Sequence, residues 1–104
     1  MSVLEISEEA SLKVLAVRSE ESDAEKLALR VAVSGVSGVE YSYDLAFVPV
    51  EEATDEDISY EVGELTVIIP LASKEKLAGA TLDIPQNADQ GGLIIRNPNR
   101  PNPL

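Results

Sequence analysis

Five carboxylates fall within seven consecutive positions, Glu51, Glu52, Asp55, Glu56 and Asp57, and they are the densest set of side chains in the sequence able to act on a cation or a proton. Hard cations such as calcium and magnesium take several oxygen ligands, so the run raises the question of a metal loop. The regularly spaced acids and central glycine of an EF-hand are absent, and the expected state is a solvated, charged surface loop. Asp55 and Asp57 have a spacing that would suit acid-base work, but no partner is placed for them and they read as exposed acids. The loop also offers attraction to a basic partner, which would show as a salt-dependent association rate.

A second candidate is Gly35-Val36-Ser37-Gly38. Glycines let backbone amides approach an anion, but phosphate loops join a strand to a helix and add a basic side chain, and neither is found here. The expected reading is a permissive turn between two strands. Tyr41, Tyr43 and Phe47 could form an aromatic binding patch; alternating along a strand, they are expected to pack against a helix in the core, with Tyr60 joining them. Arg96 and Arg100 are the only basic residues after Lys76 and flank Asn97-Pro98-Asn99. Arg96 is expected to end a strand in solvent, and Arg100 to belong to a linker.

The residues that are missing exclude more chemistry than those present suggest. The 104 residues include no cysteine and no histidine. Disulfides and thiolate metal sites are therefore excluded, and the commonest general base and nitrogen ligand is lacking. The net charge of -11 opposes a phosphate backbone or an anionic membrane surface, so neither nucleic acid nor membrane is an expected partner. The apolar run Val67-Ile68-Ile69, with Leu65 and Leu71 beside it, is interrupted by Pro70 and too short to cross a bilayer. Met1-Ser2-Val3-Leu4-Glu5 lacks the basic region and apolar core of a secretory signal, and the cytoplasm is the expected compartment.

One domain is expected from this length, with 44% apolar residues to supply its core. Residues 3–6 suit a short strand. Ser7 is placed to cap a helix starting at Glu8, with Glu8 and Glu9 in the first turn where the helix dipole favours them. Ala10, Val14 and Val17, widened by Leu15, make its buried face, while Lys13 and Arg18 stay wet. Strands are expected over 27–33, from Tyr41 to a stop at Pro49, over 58–62 and over 65–69, the last covered on both faces and entered through a tight turn at Gly63-Glu64. Lys74 to Ala78 suits little more than one helical turn, ended by Gly79. Residues 81–84 and 93–96 are the last strands, separated by a polar loop from Gln86 to Gly92. This order argues for an α+β domain on a mostly antiparallel or mixed sheet, with one amino-terminal helix and one short late helix. It divides the chain into a domain over 1–96 and a Pro/Asn-rich tail or linker over 97–104, where three prolines in eight residues cannot continue a ladder.

Several motifs share their order with one family. The Ser-led helix, Leu29-Arg30-Val31-x-Val33, the glycine loop, the aromatic strand, Thr54-x-Glu56-Asp57-Ile58, Ala80-Thr81-Leu82-Asp83 and Asn97-Pro98-Asn99 together resemble the A-type, HesB-like iron-sulfur carriers across nearly the whole chain. That family holds iron through a cysteine in a Gly-Cys-Ser-Gly loop and a Cys-x-Cys pair after Asn-Pro-Asn. The resemblance puts the first ligand position at Val36, or at Gly38 if no gap is allowed before Tyr41, and neither can coordinate iron. The other two should follow Asn99 by several positions, where this sequence reads Arg100-Pro101-Asn102-Pro103-Leu104.

A cysteine-lacking domain of this kind is similar to the amino-terminal half of some Nfu-type carriers, in which a separate domain holds the cluster through Cys-x-x-Cys. The resemblance implies a non-catalytic accessory or targeting module for cluster assembly or delivery, with no catalytic, cofactor or metal residue of its own. The cluster would sit on a linked or partner domain, and the partners would be apo iron-sulfur clients and that cluster-carrying Nfu-type domain. The alternative is a free-standing structural or interaction domain with no role in cluster chemistry, as a homodimer through an exposed sheet edge.

Overall fold

The regular elements of the computed structural model, which describes residues 3–38, 40–84 and 93–99, are β1 (Glu5–Ile6), α1 (Glu8–Arg18), β2 (Leu27–Ser37), β3 (Glu40–Pro49), β4 (Asp57–Val62), β5 (Leu65–Pro70), α2 (Lys74–Leu77), β6 (Thr81–Asp83) and β7 (Ile94–Arg96). They form a four-stranded sheet in the order β3-β2-β5-β4 and a three-stranded sheet in the order β1-β6-β7. Pairs β2/β3, β4/β5 and β6/β7 are antiparallel, while β2/β5 and β1/β6 are parallel. The α+β class with mixed sheets is as the sequence implies.

β5 organises the larger sheet. Leu65, Val67, Ile68 and Ile69 are all buried, so both faces of the strand must be covered. An interior place between β2 and β4 meets that demand and satisfies the backbone on both edges. Leu29 pairs with Val67 and Arg30 with Ile68, which sets Leu29, Val31, Val67 and Ile69 on the core face. Against them pack Ala10 and Val14 of α1, Leu77 of α2, Leu82 of β6, and Leu4. Each fully buried aliphatic side chain contributes about 1.5–3 kcal/mol.

Ser7 caps α1 as its position implies: its hydroxyl accepts from the Ala10 amide at 3.1 Å and donates to Asp83 Oδ1 at 2.8 Å. A serine cap contributes about 1 kcal/mol to a helix, and this one also ties α1 to β6. Asp83 Oδ1 accepts from the Ile84 amide at 2.8 Å as well, and Arg96 lies 3.6 Å from Oδ2. The Ile84 amide first and then Ser7 hold the Asp83 carboxyl below its ordinary 3.8, against a lesser opposing effect of burial, with the charge of Arg96 adding the smallest contribution. The stability from this link is therefore present above 3.8 and lost as pH falls through the lowered value.

Three expectations about the helices and turns need correction. Val17 is 46% exposed; at 100° per residue it lies about 20° from Ala10 on the side away from Val14, at the margin of the buried stripe. Arg18 is not simply wet: its Nη1 donates to the Leu27 carbonyl at 3.2 Å and its Nε is buried. The glycine loop is mostly strand. β2 continues through Gly35, Val36 and Ser37, with a bulge between Val33 and Gly35, and Ser37 pairs with Glu40. Only Gly38 turns the chain, at φ 65, a conformation that suits glycine. Beside the bulge, the buried Ser73 accepts from the Val33 amide at 3.0 Å, completing bonding that β5 no longer reaches.

The Gly63-Glu64 turn joins β4 to β5 with Val62 opposite Leu65, and α2 is a single turn, both as implied. The 51–57 segment is a 3-10 turn (Val50–Glu52) followed by a loop in which Asp57 Oδ2 accepts from the Thr54 amide at 3.0 Å. The polar loop expected over 86–92 lies outside the described residues. Among the described residues no helix is long and apolar enough to cross a membrane.

Tyr60 links the two sheets. Its hydroxyl donates to the Leu4 carbonyl at 2.6 Å and accepts from the Leu4 amide at 3.2 Å. Burial pushes its phenol above the ordinary 10.0, against a smaller downward pull from the Leu4 amide. The native state then keeps this proton where the unfolded chain loses it, so stability is full below 10.0 and falls as pH rises toward the raised value. Urea unfolding is expected to show Tyr60→Phe less stable by about 1–2 kcal/mol at neutral pH, because the Leu4 backbone groups lose their partner. Above pH 10.0 the variant should lose stability less steeply than the native protein.

Candidate functional site

The bulge and the hairpin end of β2 and β3 bring the expected ligand-loop positions to the same end of the molecule as Asn97-Pro98-Asn99. Val36 stands opposite Tyr41 in the β2/β3 register and is 59% exposed. Tyr41 in turn lines a recess of about 80 Å³ with Glu40, Tyr43, Ile95, Asn97 and Asn99. Tyr43 and Phe47 pack against the core as expected, whereas Tyr41 belongs to this recess.

The start of the expected tail is fastened to the domain. Asn97 Nδ2 donates to the Tyr43 hydroxyl at 2.9 Å and to the Lys76 carbonyl at 2.7 Å. Asn97 Oδ1 accepts from the Asn99 amide and from Asn99 Nδ2, both at 2.9 Å. Asn99 Nδ2 also donates to the carbonyls of Lys76 at 3.1 Å and Ala78 at 2.8 Å. The last carbonyls of a helix have no partner within it, and for α2 these two amides supply them. Gly79, at φ 81, makes the turn beneath, and a Cβ there would lie 3.6 Å from Pro98 Cγ. Residues 97–99 are therefore bound to α2 and β3, where the sequence suggested a loose tail; Arg100 and the rest of that tail lie outside the described residues.

This geometry defines what the recess can do. Asn97 uses both N–H groups and both acceptor sites internally, so its amide is committed to structure. Tyr43 contributes a phenol, and Val36 and Gly38 contribute no side-chain donor. Iron in sulfide clusters is held by soft thiolates, sometimes with imidazole, and the 104 residues contain neither. The residues present do not fit such a cluster. Among the described residues no three acidic side chains converge as a metal site either. Asp57 Oδ2 accepts from both the Thr54 amide and the Thr54 hydroxyl, so this carboxylate serves the structure of its own loop.

The bond between Tyr43 and Asn97 and the bonds from both asparagines to α2 were not foreseeable from spacing, because they join residues far apart in sequence. Asn97→Ala is expected to lower stability by about 1–3 kcal/mol, since it leaves the Lys76 carbonyl and the Asn99 amide short of partners. Hydrogen exchange should show faster opening of the α2 amides in the variant, with those of β5 changed little relative to the global loss.

No protein-family model matches the chain. The iron-sulfur cluster insertion protein ErpA of Psychrobacter cryohalolentis is 31% identical over 99 residues, covering 93% of this chain and 75% of that protein. A putative iron-sulfur cluster insertion protein ErpA of Aromatoleum aromaticum is 33% identical over 95 residues, covering 89% of this chain and 78% of that one. Among solved structures, the crystal structure of IscA with a 2Fe-2S cluster has a TM-score of 0.68 and 23% identity, covering 92% of this chain and 83% of that one. That likeness concerns the fold, and it agrees with the sequence relatives: the chain belongs to the A-type, HesB-like family of iron-sulfur carriers.

Proposed function

We propose that this domain is a non-catalytic accessory and targeting module in iron-sulfur cluster assembly or delivery, one that does not itself ligate the cluster. The observation that supports this most is the complete lack of cysteine and histidine on a scaffold whose relatives are named for cluster insertion. The positions corresponding to the family's loop ligand, Val36 or Gly38, carry no donor, while the hairpin and asparagine turn around them are intact.

In this reading the domain acts in the cytoplasm and recognises apo client proteins, while a linked or partner Nfu-type domain carries the cluster on its own cysteines. Its contribution is local concentration: holding client and carrier together replaces a bimolecular encounter with an intramolecular one, at an effective concentration on the order of millimolar. No residue of this chain forms or breaks a bond in the transfer.

Cluster transfer from a Cys-x-x-Cys carrier to an apo client at micromolar concentration tests this reading. Joining the 104-residue domain to the carrier through a flexible linker should accelerate transfer by about tenfold or more. Equal rates with and without the domain, over a panel of clients, would contradict it.

A further inference from the structure

Between α1 and β3 lies a groove of about 250 Å³ whose lining includes Lys13, Val17, Leu29, Leu45, Phe47 and Leu93. Val17 is 46% and Leu45 38% exposed, so large apolar side chains from two elements meet solvent side by side. Scattered single apolar residues need no explanation, but neighbours lining one concave strip mark a contact surface.

The charges around the groove differ from the rest of the surface. The chain carries 19 acidic and 8 basic residues, yet among the described residues lining the groove no carboxylate occurs and Lys13 is the charged one. Arg18, four residues after Val14, is held nearby through its bond to the Leu27 carbonyl. Among the described residues neither cation is within ion-pair distance of an acid. Among the described residues β3 is the outermost strand of its sheet, beside β2. A strand added along the Leu45–Phe47 stretch of that outer edge would extend the sheet and bring its inward side chains over Leu45, Phe47 and Val17.

We infer that this groove and the β3 edge bind an extended peptide segment whose inward residues are apolar and whose end bears a carboxylate facing Lys13. As the client's contact this rests on the proposed targeting role, but the binding itself requires neither cluster nor carrier.

The test is an amide NMR titration of the whole chain with a ten-residue peptide bearing apolar residues at alternate positions and an aspartate at each end, alongside a twin with lysine at both ends. The aspartate peptide should shift the amides of Val17, Leu45 and Phe47. Leu45→Asp and Val17→Asp, both at exposed positions, should abolish those shifts while far-UV circular dichroism stays native. Lys13→Glu should weaken the aspartate peptide by about threefold to fivefold and favour the lysine twin. Shifts confined to other surfaces, equal binding of the twin by the native protein, no binding at millimolar peptide, or a β3-paired dimer seen by sedimentation and closing the groove would each overturn the inference. Cluster delivery failing with peptide binding intact removes only the targeting role, whereas delivery persisting in Leu45→Asp overturns the groove as the client's contact.

Discussion

The fold depends on the need to cover β5 on both faces. A run of Leu65, Val67, Ile68 and Ile69 with every side chain buried cannot lie at a sheet edge or over solvent. Placing it between β2 and β4 fixes the parallel β2/β5 pairing, and the register of Leu29 with Val67 then decides which residues of β2 face the core. Everything on the other side of that core, namely α1, the β1-β6-β7 sheet and α2, is held by buried apolar contact plus a few specific bonds. Tyr60 to Leu4 and Ser7 to Asp83 are the ones that fix how the small sheet sits.

The same frame explains why the asparagine turn holds its shape by its own bonds. Asn97-Pro98-Asn99 is family sequence, yet its amides cap α2, bind Tyr43 and satisfy each other. Loss of thiols would leave those bonds untouched, so the turn has a structural reason to remain. Gly38 likewise holds a left-handed turn that the hairpin requires whether or not a metal lies nearby. Both turns rest on backbone geometry and side-chain amide bonds, and that is what makes a contact role on this fold physically reasonable.

Much of this was legible in the sequence because it follows from local rules. The Ser7 cap, the doubly covered 65–69 strand, the Gly63-Glu64 turn and the single-turn late helix each rest on a few neighbouring residues. What was missed depends on partners far along the chain. The bulge after Val33 matches a hydroxyl from Ser73, 40 positions away, and the asparagine turn meets Tyr43, 54 positions away. Val17 was misread for another reason: helical spacing groups it with Val14, but whether a side chain at the margin of a stripe is covered depends on how far the sheet extends beneath it. Here the stripe ends and a groove begins.

Anaerobic reconstitution of the 104-residue chain with ferrous iron and sulfide, followed by desalting and by iron, sulfide and protein quantitation, tests the non-ligating reading most directly. The account requires that no chromophore survive desalting and that iron and sulfide stay far below one cluster per chain. A stable visible absorption band with stoichiometric iron and sulfide on this chain alone would contradict it.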